Sequence, residues 1–273
     1  VILRDRCVGM NYALASGRAL HYRALTYRGE LASLAARVEP TLAQAESRGD
    51  LYSVANYRAT AKTFLALAAD DTEGAARELE LAASRLPTDA FHIQHYFCLL
   101  GRSQLALYGG TPETVHAEFV RNWKALERSL LLRVQTLRIG LHDAHSRACL
   151  AILAAGKGES AGVTRATAEK EIRALERERT PWALGYAQIG RAGLDALDGN
   201  RERAILRLEA AEKDHEERGM VLVAAAVRRR RGELVGGAEG AELVRTSEER
   251  LRSHGVSAPA RFTTMLLPDF VRR

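Results

Sequence analysis

The stretch AGLDALDGNRERAILRLEAA, Ala192–Ala211, contains the pattern that decides the fold class. Small and apolar residues recur at helical spacing on both sides of the pair Gly199-Asn200. A glycine just past a helical run supplies the left-handed residue that closes a helix, and apolar residues at this spacing form one face of an amphipathic helix. The stretch therefore predicts two antiparallel helices that pack closely across a tight turn.

The same turn signal recurs along the chain at intervals of about 40 residues, which indicates a repeated unit. Acidic or glycine-containing breaks fall at positions 29–30, 70–71, 109–110, 156–158, 199–200 and 236–237. A second set lies between them, at 48–50, 86–87, 179–181 and 218–219. Each interval thus holds two helices. We predict an all-α fold, an α-solenoid of about six antiparallel helix pairs.

The unit Ala192–Ala211 resembles the tetratricopeptide repeat, in which a Gly-Asp or Gly-Asn turn joins two antiparallel helices of small and apolar residues. Echoes of it occur at Leu25–Leu34 and Leu105–Val115. The period exceeds the usual length of that repeat, about 34 residues, so we expect longer helices. The resemblance implies a tetratricopeptide-like superhelix whose concave face is lined by the first helix of each pair.

Helical periodicity and the breaks together predict where each helix lies. The predicted helices are 9–28, 30–48, 50–69, 72–86, 91–108, 112–128, 130–155, 163–178, 181–198, 200–218, 220–235 and 238–254, with a short terminal helix over 259–266. Pro40 lies inside the second of these. A proline there predicts either a kink or a late start of that helix.

The length of 273 residues exceeds a typical single core of roughly 100 to 200 residues, and the repeated breaks favour one elongated array over two domains. Gly156–Gly162 is the loosest linker, so we divide the array into an N-terminal half, 1–155, and a C-terminal half, 163–273. The linker glycines match neither the phosphate-loop nor the dinucleotide spacing. We interpret them as an interhelical loop and predict no cofactor.

Composition and cysteine usage indicate a soluble protein of the cytoplasm. No apolar run approaches the roughly 20 residues of a membrane span, so we expect no membrane partner. The chain has three cysteines, Cys7, Cys98 and Cys149, and an odd number does not suit a disulfide framework. They lie in apolar segments with helical periodicity, so we predict reduced thiols in the core. No secretory leader opens the chain, and a start at Val1 without methionine predicts a piece of a longer protein.

The net charge of +6 permits anionic partners. Most arginines alternate with glutamates at helical spacing, which is typical of a solvated, salt-bridged helix face. The one dense run is Arg228–Arg231. It lies either at the end of an apolar helix, where cations meet the negative end of the helix dipole, or in an anion-binding patch. We favour the first interpretation and do not expect a nucleic-acid partner.

Two histidine pairs raise the question of a metal site. His92 and His95 lie three residues apart on one predicted helix, and His142 and His145 do so on another, so each pair shares a helix face. Four imidazoles from neighbouring helices would suit zinc, but metal sites in helical bundles usually recruit carboxylates as well. We interpret the pairs as packing or groove-lining residues and predict no metal site.

Seven phrases of the sequence are distinctive: Arg6–Gly9, Arg48–Tyr52, Leu67–Asp71, Phe91–Tyr96, Ser129–Gln135, Pro181–Ala183 and Met265–Phe270. Together they resemble the C-terminal helical region of large bacterial, especially myxobacterial-type, serine/threonine protein kinases. In such proteins a kinase domain, often followed by a nucleotide-binding ATPase segment, precedes a tetratricopeptide-like arm. The resemblance implies a sensor or docking role in signalling.

No kinase residue carries over from that resemblance. The chain has no glycine-rich phosphate loop, no strand lysine, no His-Arg-Asp loop and no Asp-Phe-Gly. The phrase Leu141-His142-Asp143 lacks the arginine and the downstream asparagine of a catalytic loop. Apolar flanks predict that the thiols of Cys98 and Cys149 are buried and inert. We therefore predict a non-catalytic segment.

The leading function predicted from the sequence is a protein–protein interaction or regulatory sensor arm of a bacterial signalling kinase, with a protein or peptide partner in the concave groove. The polar residues that we expect in this groove are Asn56, Arg58, His95, Arg133, Gln135 and Gln188. The alternative is a small-molecule-sensing helical arm of a signal-transduction ATPase or kinase. No oligomeric state follows from the pattern.

Overall fold

The structure, a computed structural model, describes residues 11–270, with side chains from Leu14 onward. Every regular element in that range is helical, and no strand is present between residues 11 and 270. The predicted all-α class is confirmed. Over the same residues no helix combines the length and the apolar character needed to cross a membrane. The part of the prediction that concerns Cys7 lies outside the described residues.

Between residues 11 and 128 the chain forms seven α-helices. They are α1 (Asn11–Arg28), α2 (Leu31–Ser47), α3 (Leu51–Tyr57), α4 (Thr63–Ala68), α5 (Thr72–Ala83), α6 (Ile93–Gly109) and α7 (Pro112–Arg128). A π-helical turn, Arg58–Lys62, joins α3 to α4. Beside this turn the hydroxyl of Thr60 donates to the carbonyl of Asn56 at 2.6 Å, and that of Thr63 to the carbonyl of Arg58 at 2.8 Å. The predicted helix 50–69 is thus one continuous helical segment. Its backbone hydrogen bonds change from the α to the π pattern where threonine hydroxyls bond to backbone carbonyls.

The second part begins with a 3₁₀ turn, Leu131–Arg133. It continues with α8 (Gln135–Ala154), α9 (Gly158–Ala161), α10 (Arg165–Arg177), α11 (Pro181–Leu197), α12 (Arg201–Glu217), α13 (Val221–Val235), α14 (Gly237–Ser253) and α15 (Pro259–Leu266). The predicted helix 130–155 starts late because Leu130 has a left-handed φ of 61°. The linker Gly156–Gly162 contains one short helix, α9, which its glycine-rich sequence did not predict.

Helix ends follow from capping residues in the sequence. The side chain of Asp50 accepts from the backbone N–H of Ser53 at 3.0 Å, and that of Asp71 from Gly74 at 2.7 Å. A Cβ at Gly74 would lie 2.0 Å from Asp71 Oδ2, so a side chain at this position would displace the capping carboxylate. Proline occupies the first turn of α7, α11 and α15, where its missing N–H costs nothing. Helix α2 runs through Pro40, so the late start considered for it is wrong.

Consecutive helices pack against each other along most of the chain, most extensively α11 with α12, α12 with α13 and α13 with α14. Helix α8 contacts α6 and α7 on one side and α10 and α11 on the other. It therefore bridges the two predicted halves, 1–155 and 163–273. The division between these halves stays a prediction.

The two ends of the described chain also meet. Helix α13 contacts α1, and α15 contacts α6, α13 and α14. The backbone N–H of Ser257 donates to the carbonyl of Ala68 at 2.8 Å, and His254 Nδ1 lies 3.1 Å from the carbonyl oxygen of Gly29. The rings of Phe64 and Phe262 meet edge to face at 5.6 Å. The segment after α14 therefore closes the row of helices around a central space.

Candidate functional site

A cavity of about 660 Å³ occupies this central space. Its walls come from α1, α3, α4, α6, α8, α11, α13 and α15, so helices from both predicted halves contribute. Cavities of roughly 300–1,000 Å³ are typical of sites that bind small molecules. Most of its wall comes from these helices, and the segments before α6 and between α7 and α8 add Phe91, Leu131 and Val134.

Most of the cavity wall is apolar or aromatic. Phe97 and Leu100 of α6 face it, as do Trp182 and Tyr186 of α11 and Leu222 of α13. The rings of Trp182 and Tyr186 lie edge to face, with centroids 6.1 Å apart. Large rings in such contact hold a wall in place at little cost in side-chain freedom. The wall therefore suits the apolar body of a ligand.

A glycine on α8 makes room for the polar part of the wall. A Cβ at Gly140 would lie 2.7 Å from Tyr96 Oη and 3.2 Å from an Nη atom of Arg23. The hydroxyl of Tyr96, fully buried, donates to the carbonyl of Leu137 at 2.8 Å. The absence of a side chain at position 140 thus lets the Arg23 guanidinium lie against α8.

Arg23, on α1, is partly buried in this wall. Its Nε donates to the hydroxyl of Tyr27 at 2.7 Å, and one Nη lies 3.4 Å from the carbonyl oxygen of Thr136. No carboxylate among residues 14–270 forms an ion pair with it. A guanidinium stays protonated at any ordinary pH. Arg23 therefore brings to the wall a positive charge that has no ion-pair partner among the described residues.

Helix α8 adds an ion pair to the wall, between Asp143 and Arg147, which lie one helical turn apart. Arg147 donates to Asp143 Oδ2 at 2.7 Å and, through its other Nη, to the carbonyl of Met265 at 2.7 Å. Burial raises the pKa of Asp143 above its ordinary value, and the neighbouring Arg147 and Arg23 only partly oppose this. The cavity thus holds two guanidinium groups and one carboxylate, a net excess of one positive charge.

The six predicted groove residues lie elsewhere. Asn56 is buried, and its Oδ1 has no hydrogen-bond partner among the described residues. Arg58 is held by ion pairs with Glu46 and Glu78. His95 caps the start of α6, where its Nδ1 accepts from the backbone N–H of His92 at 3.1 Å. These three side chains serve local structure, and none of them lines the cavity.

The other three lie on or near the surface. Arg133 is exposed in the 3₁₀ turn. Gln135 donates from Nε2 to the carbonyl of Glu178 at 3.2 Å, and Gln188 accepts from Arg207 at 2.9 Å. Gln188 belongs to a shallow groove between α11 and α12, about 590 Å³ in volume, which also includes Leu206. The structure therefore does not bring the six residues together at one site.

The residues expected in the groove and the residues that line the cavity share helices but lie on different faces of them. The cavity is lined by α3, α6, α8 and α11, the helices that carry most of the six residues, yet through neighbours such as Gln94, Thr136 and Tyr186. Arg23, Asp143 and Arg147 were missed. The spacing of Asp143 and Arg147, four residues apart on one helix, was the available signal for an ion pair.

The dense arginine run is neutralised by carboxylates. Arg228 pairs with Glu212 and Glu216, Arg229 with Glu233 and Glu248, Arg230 with Glu233 and Asp269, and Arg231 with Glu212. The run lies in the C-terminal half of α13, which continues to Val235 as the predicted helix 220–235 does. The helix extends past the run because Gly236 is the first residue with a left-handed φ. The run is held by side-chain pairing and not by the helix dipole.

The two histidine pairs also lie apart. His92 and His95 are at the start of α6, whereas His142 and His145 lie on α8 beside Glu171 of α10. Cys98 and Cys149 are buried free thiols, as predicted. Burial raises the pKa of Cys98 to about 11 and that of Cys149 to about 12. Both sulfurs are therefore protonated and unreactive at neutral pH.

Comparison of the chain with known protein families, with curated proteins and with solved structures finds no match. The assignment of a function therefore rests on the geometry of the cavity and on the sequence.

Proposed function

We propose that this chain is a non-catalytic regulatory arm that binds a small amphipathic anion in the central cavity. The single observation that supports this most is the unneutralised guanidinium of Arg23 in a largely apolar wall. Burying a charge without a partner costs several kcal/mol, so a site that keeps one favours a ligand that supplies the opposite charge. The ligand class is an apolar body with one acidic group.

The architecture proposed with this function is a tetratricopeptide-like superhelix closed on itself. Successive helices pack as neighbours, which suits stacked pairs, and the segment after α14 joins the last pairs to α1 and α6. In an open array the inner face is a groove. Closure converts such a groove into a cavity, which favours a small molecule over a protein as the occupant.

The kinase context follows from the sequence resemblance and belongs to the proposal. In this view the arm lies C-terminal to a serine/threonine kinase domain in a cytoplasmic signalling protein. Ligand binding would stabilise the closed arrangement, because α1, α8, α11 and α15 all contribute to the cavity wall. Binding energy is then coupled to the contacts between the first and last helices.

A matched set of ten-carbon amphiphiles tests the proposal. Decane-1-sulfonate, decan-1-ol and decyltrimethylammonium share a tail and differ in charge. At about 100 times its Kd, the sulfonate is expected to raise Tm by roughly 5–10 °C, since a ligand that binds only the folded state adds about 2.7 kcal/mol. The alcohol is expected to raise it less and the ammonium compound not at all.

The order of the three compounds decides the outcome. Equal shifts for sulfonate and alcohol would mean that the cavity binds tails without regard to charge. A larger shift for the ammonium compound, or a flat response to all three below their micelle-forming concentrations, would contradict the proposed ligand class. Scanning calorimetry and dye-free fluorescence of Trp182 give independent readings of Tm.

A protein or peptide partner is the second candidate function, and a specific feature favours it. The shallow groove between α11 and α12 presents Leu184, 42% exposed, and Leu206, 65% exposed, beside Gln188. Exposed apolar side chains in a groove mark interaction surfaces more often than isolated ones do. A partner that uses this groove should be lost on Leu206→Asp and kept on Arg23→Met, whereas the cavity ligand should show the reverse.

A further inference from the structure

A second cluster of polar side chains lies between α7, α8 and α10, outside the cavity wall. His116 of α7 and His145 and Cys149 of α8 bring one ring nitrogen each and the thiol sulfur to within 4.8 Å of one another. His116 Nδ1 lies 3.1 Å from His145 Nε2. All three residues are buried.

The sequence explains why two of these side chains share a face. His145 and Cys149 are four residues apart on α8, which places them one helical turn apart on the same side. Helix α7 packs against that side and contributes His116. Two ligands on one helix and a third on its neighbour is a common arrangement of metal sites in helical proteins.

A buried carboxylate completes the arrangement from the other side of the ring. Glu171 of α10 lies with Oε1 3.4 Å from His145 Nδ1 and with Oε2 2.6 Å from His142 Nδ1. Metal-bound histidines typically turn their second ring nitrogen towards a carboxylate, which fixes the orientation of the imidazole. Glu171 is in this position for His145, whose Nδ1 makes no hydrogen bond to any described residue.

The surroundings of the cluster are aromatic. The ring of Phe119 stacks on His145 at 4.6 Å, and that of Trp123 lies 6.4 Å away. Within this setting a divalent cation would be balanced by the Cys149 thiolate and the Glu171 carboxylate, two negative charges against two positive ones. Charge neutrality removes most of the cost of burying an ion in an apolar region.

We propose that His116 Nδ1, His145 Nε2 and Cys149 Sγ bind a zinc ion, with Glu171 orienting His145. Zinc accepts imidazole and thiolate together, and its bonds of about 2.0–2.3 Å place ligand atoms roughly 3.3–3.6 Å apart. The two nitrogens already lie 3.1 Å apart, and the thiol sulfur would close in from within the 4.8 Å that bounds the cluster. On binding, the thiol proton of Cys149 is released to solvent. The proton that lies between the two imidazoles moves to Nε2 of His116, so both rings stay neutral and His116 Nδ1 has a lone pair free for the metal.

Cobalt titration of the whole chain provides the test, because Co²⁺ bound to a thiolate absorbs in the near ultraviolet and a tetrahedral site absorbs strongly in the visible. We expect one Co²⁺ per chain with both bands, displaced by Zn²⁺. Cys149→Ser should lose the charge-transfer band and weaken metal binding at least tenfold. Cys98→Ser is the matched control, a buried thiol outside the cluster, and should keep both bands.

A measurement on the unaltered protein covers the case in which Cys149→Ser does not fold. X-ray absorption at the zinc edge should show one sulfur at about 2.3 Å and nitrogens at about 2.0–2.1 Å. Absence of a sulfur shell, or no zinc retained by folded protein after gel filtration, would overturn the proposal. Arg23→Met should bind zinc as the wild type does, so this inference and the proposed ligand cavity can fail separately.

Discussion

Two positively charged regions of the molecule, the run Arg228–Arg231 and the single residue Arg23, differ in whether carboxylates pair with them. The run Arg228–Arg231 on α13 has the highest charge density in the sequence, yet each of its guanidinium groups pairs with at least one carboxylate. Arg23 on α1 stands alone in the sequence, and no carboxylate among the described residues pairs with it. The run stabilises the packing of α12 to α15, whereas Arg23 leaves a positive charge in a cavity.

This difference shows that a charge cluster in sequence is a poor guide to an anion site. Carboxylates on neighbouring helices, such as Glu212 and Glu248, neutralise the run and are invisible in a local window. What attracts a ligand is the charge left over after pairing. In this molecule that charge is on an isolated arginine whose surroundings are apolar.

The largest effect, a loss of folding stability, is expected for Arg230→Met, which removes one arginine of the paired run Arg228–Arg231. Arg230 is 3% exposed and donates to Asp269 at 2.5 Å and to the carbonyl of Leu267 at 2.7 Å. The charge-assisted hydrogen bonds of this buried guanidinium contribute about 1.5–3 kcal/mol each, whereas its partners Asp269 and Glu233 are about a third exposed and can be solvated, so the substitution should cost about 3 kcal/mol. Urea unfolding should show this loss. A loss below about 1 kcal/mol, with Arg245→Gln as the exposed control, would mean that the pair contributes little.

The next effect is expected for Arg23→Met, the matching change in the cavity. A hydrogen bond to a charged group contributes about 1.5–3 kcal/mol, so the Kd of decane-1-sulfonate should rise roughly 10- to 100-fold. Stability without ligand should change little, because the lost hydrogen bond to Tyr27 is offset by the removal of a partly buried charge that has no ion-pair partner. Isothermal titration and urea unfolding measure the two quantities. Unchanged sulfonate affinity in a folded variant would remove Arg23 from the site.

A smaller effect is expected for Asp143→Asn. The single carboxylate of the cavity opposes an anion, and its removal is worth on the order of 1 kcal/mol at an effective dielectric constant of about 20, a three- to tenfold gain in sulfonate affinity. The amide oxygen can still accept from Arg147, so the local geometry should persist. A weaker affinity in a folded variant would mean that Asp143 contacts the ligand directly.

The pH dependence of binding gives a related test of Asp143. Its pKa is raised by burial, so as pH falls towards that pKa the carboxylate is neutralised and the cavity becomes more positive. A sulfonate stays ionised, and its affinity for the wild type should increase as pH falls. Asp143→Asn should show the higher affinity at all these pH values. A decrease in wild-type affinity on acidification would contradict the assignment.

The smallest effect is expected for Arg228→Gln. Arg228 is partly exposed, and its partners Glu212 and Glu216 also pair with Arg231 and Arg250. Exposed ion pairs contribute about 0–1 kcal/mol, so stability should change by no more than this. Sulfonate affinity should stay within about twofold of the wild type. A large loss of affinity would shift the anion site from the cavity to α13.

The helices were largely predictable from sequence because their signals are local. Gly110, Gly199 and Pro181 mark helix ends that the apolar periodicity alone does not define. The terminal helix over 259–266 lies where predicted. Exceptions arise where a single residue or side chain alters the backbone. The left-handed φ at Leu130 and the threonines beside the π turn at Arg58–Lys62 carry no distinctive sequence pattern.

The candidate sites were not predictable to the same degree, because they depend on contacts between distant parts of the chain. The cavity wall combines Arg23 of α1 with Leu222 of α13 and Leu266 of α15, which are far apart in sequence. The polar residues expected in the groove do not line this cavity. Likewise His145 meets its carboxylate, Glu171, across a helix boundary.

A crystal structure of the chain with 10-bromodecane-1-sulfonate tests the central claim most directly. Bromine scatters anomalously, so the end of the tail can be located without reference to the shape of the density. We expect the sulfonate oxygens within hydrogen-bond distance of the Arg23 guanidinium and the bromine among the side chains of Phe97, Leu100 and Trp182. A bromine peak confined to the groove beside Leu206, with the cavity free of ligand, would contradict the account.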